Sequence, residues 1–379
     1  MSRKIWIGAF VLCLRATSAI SQLTYCNPIN IDYGYTPIPD FAKWGKHRAT
    51  ADPVIVNFKN DFYLFSTNQW GYWVSSDMNH WNFHSRRFLR AWNVGTYDEL
   101  CAPAVGVIGD TMIVMGSTYT RNFTIWMSTD PKNNVWKPLV DSFEIGGWDP
   151  AFFTDDDGRL YMYNGSSNVF PLYGVELDRK TLKPKGYRAE MHLLKSWRYG
   201  WQRFGEHNDN TFLDPFIEGA WMTKHNKKYY LQYGAPGTEF SHYADGVAVG
   251  NEPLGWFGNQ SDPLSMKSGG FARGAGHGAT FQDNWKNYWH VSTIAISQKN
   301  NFERRIGIWP AGFDNDDVMY CNTAYGDYPH YLPKEATDHL KSRFTGWMLL
   351  NYKKPVKVSN SLAAYLPNNA VDENIKTYW

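Results

Sequence analysis

Residues 147–165 read GWDPAFFTDDDGRLYMYNG. An Asp-Pro pair leads into a short aromatic run. Asp155-Asp156-Asp157-Gly158 then supplies a tight turn, and the run from Arg159 to Gly165 alternates side chains as a strand with two unlike faces does. A further strand, YGVEL at 173–177, follows. The same grammar recurs along the chain. DFYLFST (61–67) is followed by GYWVS (71–75) and a polar turn, SDMNHW (76–81). TMIVMGST (111–118) precedes FTIWMS (123–128), KKYYLQYG (227–234) precedes GVAV (246–249), and NYWHVST (287–293) precedes IGIW (306–309). A short segment introduces each unit: Ala51-Asp52-Pro53, Ala102-Pro103, Asp149-Pro150, Glu218-Gly219 and His277-Gly278, with aligned residues 50, 47, 69 and 59 apart. Units of this length built from about four short strands are propeller blades. The expected fold is therefore all-β, a five-bladed β-propeller, and no sustained helical period competes with it.

Composition agrees. The 379 residues include 24 Tyr, 22 Phe, 18 Trp, 32 Gly and 19 Pro, a mixture suited to strands, turns and surfaces that stack on sugar rings. Thirty-eight basic residues nearly balance 36 acidic ones, so the net charge of +2 gives no field to capture nucleic acid or an anionic membrane. A hydrophobic fraction of 43% excludes global disorder. Arg3 and Lys4, the apolar run IWIGAFVLCL (5–14) and the small residues ATSAIS (16–21) form the pattern of a secretory signal over 1–21, which implies a secreted or periplasmic product. That run is too short to span a bilayer, and no other stretch is long and apolar enough. With Cys13 in the signal, Cys26, Cys101 and Cys321 remain, odd in number and widely spaced. One disulfide among them is open, free core thiols are the favoured reading, and no CxxC or Cys/His pattern suggests zinc.

Three acidic residues open blades: Asp52, Asp149 and Glu218. The innermost strand of every blade faces the central axis, so equivalent positions converge at one mouth of the channel even when far apart in sequence. Proline after Asp52 and Asp149 fixes φ and favours extended geometry in the residue before it. Trp70, Trp148 and Trp221 lie near the three acids and are candidate stacking walls for a sugar ring.

These pieces resemble glycoside hydrolase family 43 over roughly residues 27–329. The most specific matches are Ala51-Asp52-Pro53, Asp149-Pro150 with its Asp155–Gly158 turn, and Ile217-Glu218-Gly219. The resemblance implies a five-bladed propeller glycosidase acting with inversion. Asp52 would be the general base, Glu218 the general acid, and Asp149 the residue that raises and orients that acid. It places His277, within GAGHGA (274–279), on the channel axis. There it would contact substrate or support a structural calcium through water, although no cofactor is required. It also brings Arg304 of the Arg304-Arg305 pair to the active site, since strand parity turns only one of the two inward. Cys101 stands where members often carry Trp, which alters one pocket wall. The insert WRYGWQRFGEHNDN (197–210) is expected to shape the rim, with His207 and Asp209 as candidate substrate contacts.

The expected protein is a monomeric exo-glycosidase acting on terminal bonds of plant-type oligosaccharides or polysaccharides, an α-L-arabinofuranosidase or β-xylosidase. The alternatives are a β-galactosidase or galactofuranosidase of the same family, or a propeller that binds glycans without cutting them. The propeller is expected over 22–350. Residues 351–379 read as a linker and the truncated start of a discoidin-type carbohydrate-binding module, whose opening AVDENIKTYW (370–379) resembles.

Overall fold

Every repeated unit forms a four-stranded antiparallel sheet with its strands in consecutive order. The computed structural model describes residues 23–34, 48–67, 69, 71–85, 101–117, 124–141, 143, 145, 147–267, 270–296, 302–338, 343–346, 350–372, 377 and 379. The segment 1–21 and Trp70 lie outside the described residues. Among the described residues there are five such sheets, arranged as a β-propeller. Their innermost strands are Val54–Phe58, Cys101–Ile108, Ala151–Thr154, Glu218–His225 and Arg273–Gln282. The turn read at 155–158 closes the first hairpin of blade 3: Gly158 N–H donates to Asp155 O at 2.8 Å, and Gly158 takes φ +83°, which glycine adopts without a steric penalty.

The blade entries share one backbone device. Asp52 (φ 51°), Ala102 (41°), Asp149 (52°), Gly219 (62°) and His277 (49°) are all left-handed. Four of these are not glycine, and such residues persist only where their surroundings over-determine them. Hydroxyls of the preceding blade do so for three of the four. Ala102 N–H donates to Thr67 Oγ1 (2.8 Å), Asp149 N–H to Ser117 Oγ (3.4 Å), and Asp52 N–H to Thr293 Oγ1 (2.8 Å), the last joining blade 5 to blade 1. The conformation also corrects the alignment drawn from sequence. On blade 4 the equivalent residue is Gly219, and Glu218 lies one position earlier.

The ring closes non-covalently. Ile29 N–H donates to Ile306 O (3.0 Å), and the buried Asn27 side chain makes both hydrogen bonds of Ile308, each 2.9 Å, in the manner of a missing strand residue. Thr24–Tyr25 then pairs antiparallel with His330–Tyr331. No strand was expected over 23–33, because the strand partner of Thr24–Tyr25 lies just over three hundred residues away. Aromatic rings fill the sheets and the gaps between them. Trp73, Trp289 and Trp309 are fully buried, and Trp136 of blade 2 donates to Tyr72 of blade 1 at 3.1 Å. Each buried ring contributes about 1.5–3 kcal/mol through area removed from water.

Among the described residues of the tail there is a 3-10 helix at Pro367–Val371 and no strand. No described helix is long and apolar enough to cross a membrane. Of the three thiols, Cys101 is buried and Cys321 half-buried, but Cys26 is exposed, which corrects its reading as a core thiol.

Candidate active site

The left-handed entries aim side chains at the axis. Asp52, Asp149 and His277, each in that conformation, line one cavity of about 410 Å³ together with Glu218 and Arg304. Asp52 and Asp149 are 97 residues apart in sequence, and Asp149 and Glu218 are 69 apart.

Asp52 is the carboxylate of the three with both a cation and a hydroxyl beside it. Thr67 donates to its Oδ2 at 2.5 Å, while His277 Nδ1 and Arg304 Nη1 stand 3.3 and 3.8 Å from its Oδ1. Burial alone would raise its pKa. The charges of His277 and Arg304, with the Thr67 and Thr293 hydroxyls, overcome that and hold the carboxyl below the usual range. Asp149 is the opposite case. Burial, then the charges of Glu218 and Asp52, push it up to about 7, against the pull of His277 (Nδ1 at 3.7 Å) and one N–H, from Gly219 at 3.3 Å. His277 would lose its proton through burial, but Asp52, Asp149 and Glu218 together raise its pKa above the ordinary imidazole value. Glu218 receives a hydroxyl on each oxygen: Tyr243 on Oε1 at 2.5 Å and Ser166 on Oε2 at 3.1 Å.

Glycine makes room for this crowd. A Cβ on Gly219 would come within 2.7 Å of the His277 ring. One on Gly278 would come within 2.6 Å of His290 Nε2, and so would strike the buried Asp245–His290 pair (2.7 Å) behind His277. From that pair a chain of hydrogen bonds runs His290–Thr280 (3.0 Å), Thr280–Gln232 (2.7 Å) and Gln232–Thr223 (2.8 Å).

The candidates read from sequence divide. Arg304 is buried, lines the cavity and donates to Thr238 at 3.0 Å, whereas Arg305 lies over the Tyr33 ring. Trp148 lines the cavity, and so does Cys101. Trp221 does not serve this wall. Three residues beyond Glu218, it lines a second depression of about 590 Å³, and its indole donates to Thr280 O at 3.0 Å. That depression is lined by the later halves of all five innermost strands, so it marks the other end of the channel. The strand carries Trp221 along the axis, away from the acids. His207 and Asp209 are exposed and absent from the cavity lining; their neighbour Glu206 instead braces the 236–243 loop by accepting from Ser241 N–H at 3.0 Å. Sequence reading missed Thr67, Ser166, Phe216, Thr238, Glu239, Tyr243 and Phe302. No motif announces them; six line the cavity from strand ends or from loops between strands, and Tyr243 stands behind Glu218, buried, with its hydroxyl on Oε1.

Asp149, Glu218 and His277 bring ligand-capable atoms within 4.8 Å of one another. Calcium takes six to eight oxygen ligands. This cluster offers two carboxylates and an imidazole whose Nδ1 is turned toward Asp52 and Asp149, so the donor set fits an ion-paired imidazolium better than a bound cation. Chemically, the site combines an ionised carboxylate, Asp52, with a second, Asp149, that retains a proton near neutrality.

The family model for glycosyl hydrolases family 43 matches residues 47–319. A β-xylosidase of Xylanibacter ruminicola is 31% identical over 142 residues, covering 32% of this chain and 41% of that protein. The β-D-galactofuranosidase xynD of Aspergillus niger is 25% identical over 257 residues, 67% of this chain and 63% of its own length. The chain thus spans less than two thirds of either relative. Among solved structures, a thermostable family-43 glycoside hydrolase superposes with a TM-score of 0.61 at 20% identity, over 79% of this chain and 96% of that one, a likeness of fold.

Proposed function

Because the chain belongs to glycosyl hydrolases family 43, a membership its match over residues 47–319 establishes, we propose that the cavity hydrolyses terminal glycosidic bonds with inversion. One observation carries the proposal: Asp52, Asp149 and Glu218 line a single cavity. Asp52 is the general base. Its carboxylate is kept ionised by His277 and Arg304, so it can take a proton from water while that water attacks the anomeric carbon. Glu218 is the general acid that protonates the departing oxygen. Asp149, pushed up to about 7 by burial and by the neighbouring carboxylates, holds a proton beside that acid near neutral pH. Water is the nucleophile, and no covalent intermediate forms.

The sugar is a pentosyl or galactofuranosyl unit. The named activities of the two relatives support this, as does a cavity near the small end of the range for ligand sites. Trp148, Phe216 and Phe302 give that unit apolar walls, and Cys101 leaves one wall low. The N-terminal pattern at 1–21 supports secretion. The test is a panel of aryl xylosides, arabinofuranosides and galactofuranosides, assayed with the wild type and with Glu218→Gln. Hydrolysis of one class, lost in the variant, supports the proposal. A wild type that binds glycans but cuts none of the panel refutes it.

A further inference from the structure

The loop 236–243, between the second and third strands of blade 4, was silent in the sequence, yet it supplies the cavity with Thr238 and Glu239, and Glu218 with a buried partner, Tyr243. Its chain is held in place: Phe240 N–H donates to Gly237 O (3.2 Å), Tyr243 N–H to Phe240 O (3.1 Å), and Gly274 N–H of blade 5 to Ser241 O (2.9 Å). Tyr243 is buried, and its ring sits in a slot that only glycine permits. A Cβ on Gly276 would come within 2.6 Å of the ring, and one on Gly234 within 2.6 Å of the hydroxyl. From this slot the hydroxyl reaches Glu218 Oε1 at 2.5 Å, while Ser166 reaches Oε2 at 3.1 Å.

We propose that Tyr243 is a positioning residue that confines the catalytic proton of Glu218 to Oε2. The inference rests on Glu218 being the general acid. Its logic is hydrogen-bond accounting. A carboxylic acid has one proton and two oxygens. If the proton sat on Oε1 it would meet the Tyr243 hydroxyl head-on, and the phenolic hydrogen would be left without an acceptor in a buried slot, which is costly. With Tyr243 donating to Oε1, that oxygen stays an acceptor and Oε2 carries the proton. Ser166 is only half-buried, so its hydroxyl rotates to accept from the proton on Oε2, and the two hydroxyls fix the plane of the carboxyl group. Burial and the Glu218 charge keep the phenol firmly protonated, so it remains a donor throughout turnover.

The experiment compares Tyr243→Phe with the wild type on aryl glycosides of one sugar whose leaving groups range from a poor phenol to 2,4-dinitrophenol. A phenylalanine keeps the ring in its slot. Acid catalysis matters for poor leaving groups and little for 2,4-dinitrophenolate, and positioned proton transfer contributes roughly 10²–10⁴-fold. The expected loss in kcat is therefore roughly 10- to 100-fold on the poor leaving group and several times smaller on the good one. The alkaline limb of the pH profile should also move upward, because the variant no longer stabilises ionised Glu218. Equal losses on both leaving groups with an unmoved limb overturn the proposal. If Tyr243→Phe does not fold, Ser166→Ala tests the plane from the other oxygen, and its smaller loss must fall on poor leaving groups too; an even loss overturns the proposal. A wild type inactive on every glycoside would instead sink the hydrolase reading itself, so the two failures are distinguishable.

Discussion

Asp149 and Asp155 flank the same four-residue strand, Ala151–Thr154, and both are buried. Their environments push them in opposite directions. Asp155 has Lys224 Nζ at 2.5 Å, Tyr229 OH at 2.6 Å and the Asp156 N–H at 2.7 Å, and these hydrogen bonds overcome burial and lower its pKa. At Asp149 burial is reinforced, not opposed, by two other carboxylates, and the group is pushed up to about 7. Burial is common to both, so it does not by itself make a carboxylate reactive. What differs is whether donors saturate the oxygens. At one end of the strand a closed set of partners makes a brace. At the other an incomplete set leaves a group that still holds a proton at neutral pH.

The sharpest way to break this comparison is to neutralise the two carboxylates that face Asp149 and, separately, Asp155. Asp52→Asn and Glu218→Gln should each lower kcat by roughly 10²–10⁴-fold, the range for a positioned acid or base. Asp155→Asn should leave kcat close to the wild-type value. Steady-state kinetics on the panel's best substrate checks this, and a comparable loss in Asp155→Asn would erase the distinction. The second effect runs the other way. Asp155→Asn should cost about 1–3 kcal/mol in denaturant unfolding, because it leaves Lys224 and Tyr229 short of an acceptor.

A third prediction concerns pH. The folded-state pKa of Asp149 lies above its unfolded value, so the folded protein binds the extra proton. Stability therefore falls as pH rises from the ordinary carboxylate range through about 7. His277, also raised, contributes stability that is present below its unfolded value and lost as pH rises through its folded value. Asp149→Asn should remove part of this decline, so its unfolding midpoint should gain on the wild type between pH 5 and pH 8.5, a span set by that value of about 7. A difference that stays flat across that window would contradict the assigned environment. The smallest effect belongs to blade 2, whose entry carries no acid. Ala102→Gly relieves a left-handed alanine at φ 41°, and it should gain no more than about 1 kcal/mol once the added chain entropy of glycine is offset.

Much of the fold was legible because each hairpin is a local statement: turn residues between alternating aromatic strands. Asp52 and Asp149 were legible because they stand at the same place in their units, and the proline after each marks a strand start. The register around Glu218 was not, since the left-handed residue of blade 4 is a glycine and the acid stands one position earlier. Trp221 looked like a pocket wall because sequence distance from Glu218 is short, but three residues of extended strand carry a side chain well along the axis. Tyr243 and Thr67 were invisible for a different reason. Their roles depend on which blade edge meets which loop, and one tyrosine among 24 carries no local mark of that. The nearest signal was the glycine spacing in GAGHGA, which opens space for a ring without naming it.

The most direct measurement follows the anomeric proton of the first product by NMR, during hydrolysis of whichever aryl glycoside the wild type accepts and before mutarotation. An ionised Asp52 that activates water, opposite a proton donor at Glu218, yields a sugar of inverted configuration. A first product with retained configuration would mean that a carboxylate attacks the sugar itself, and the roles assigned around this cavity would be wrong.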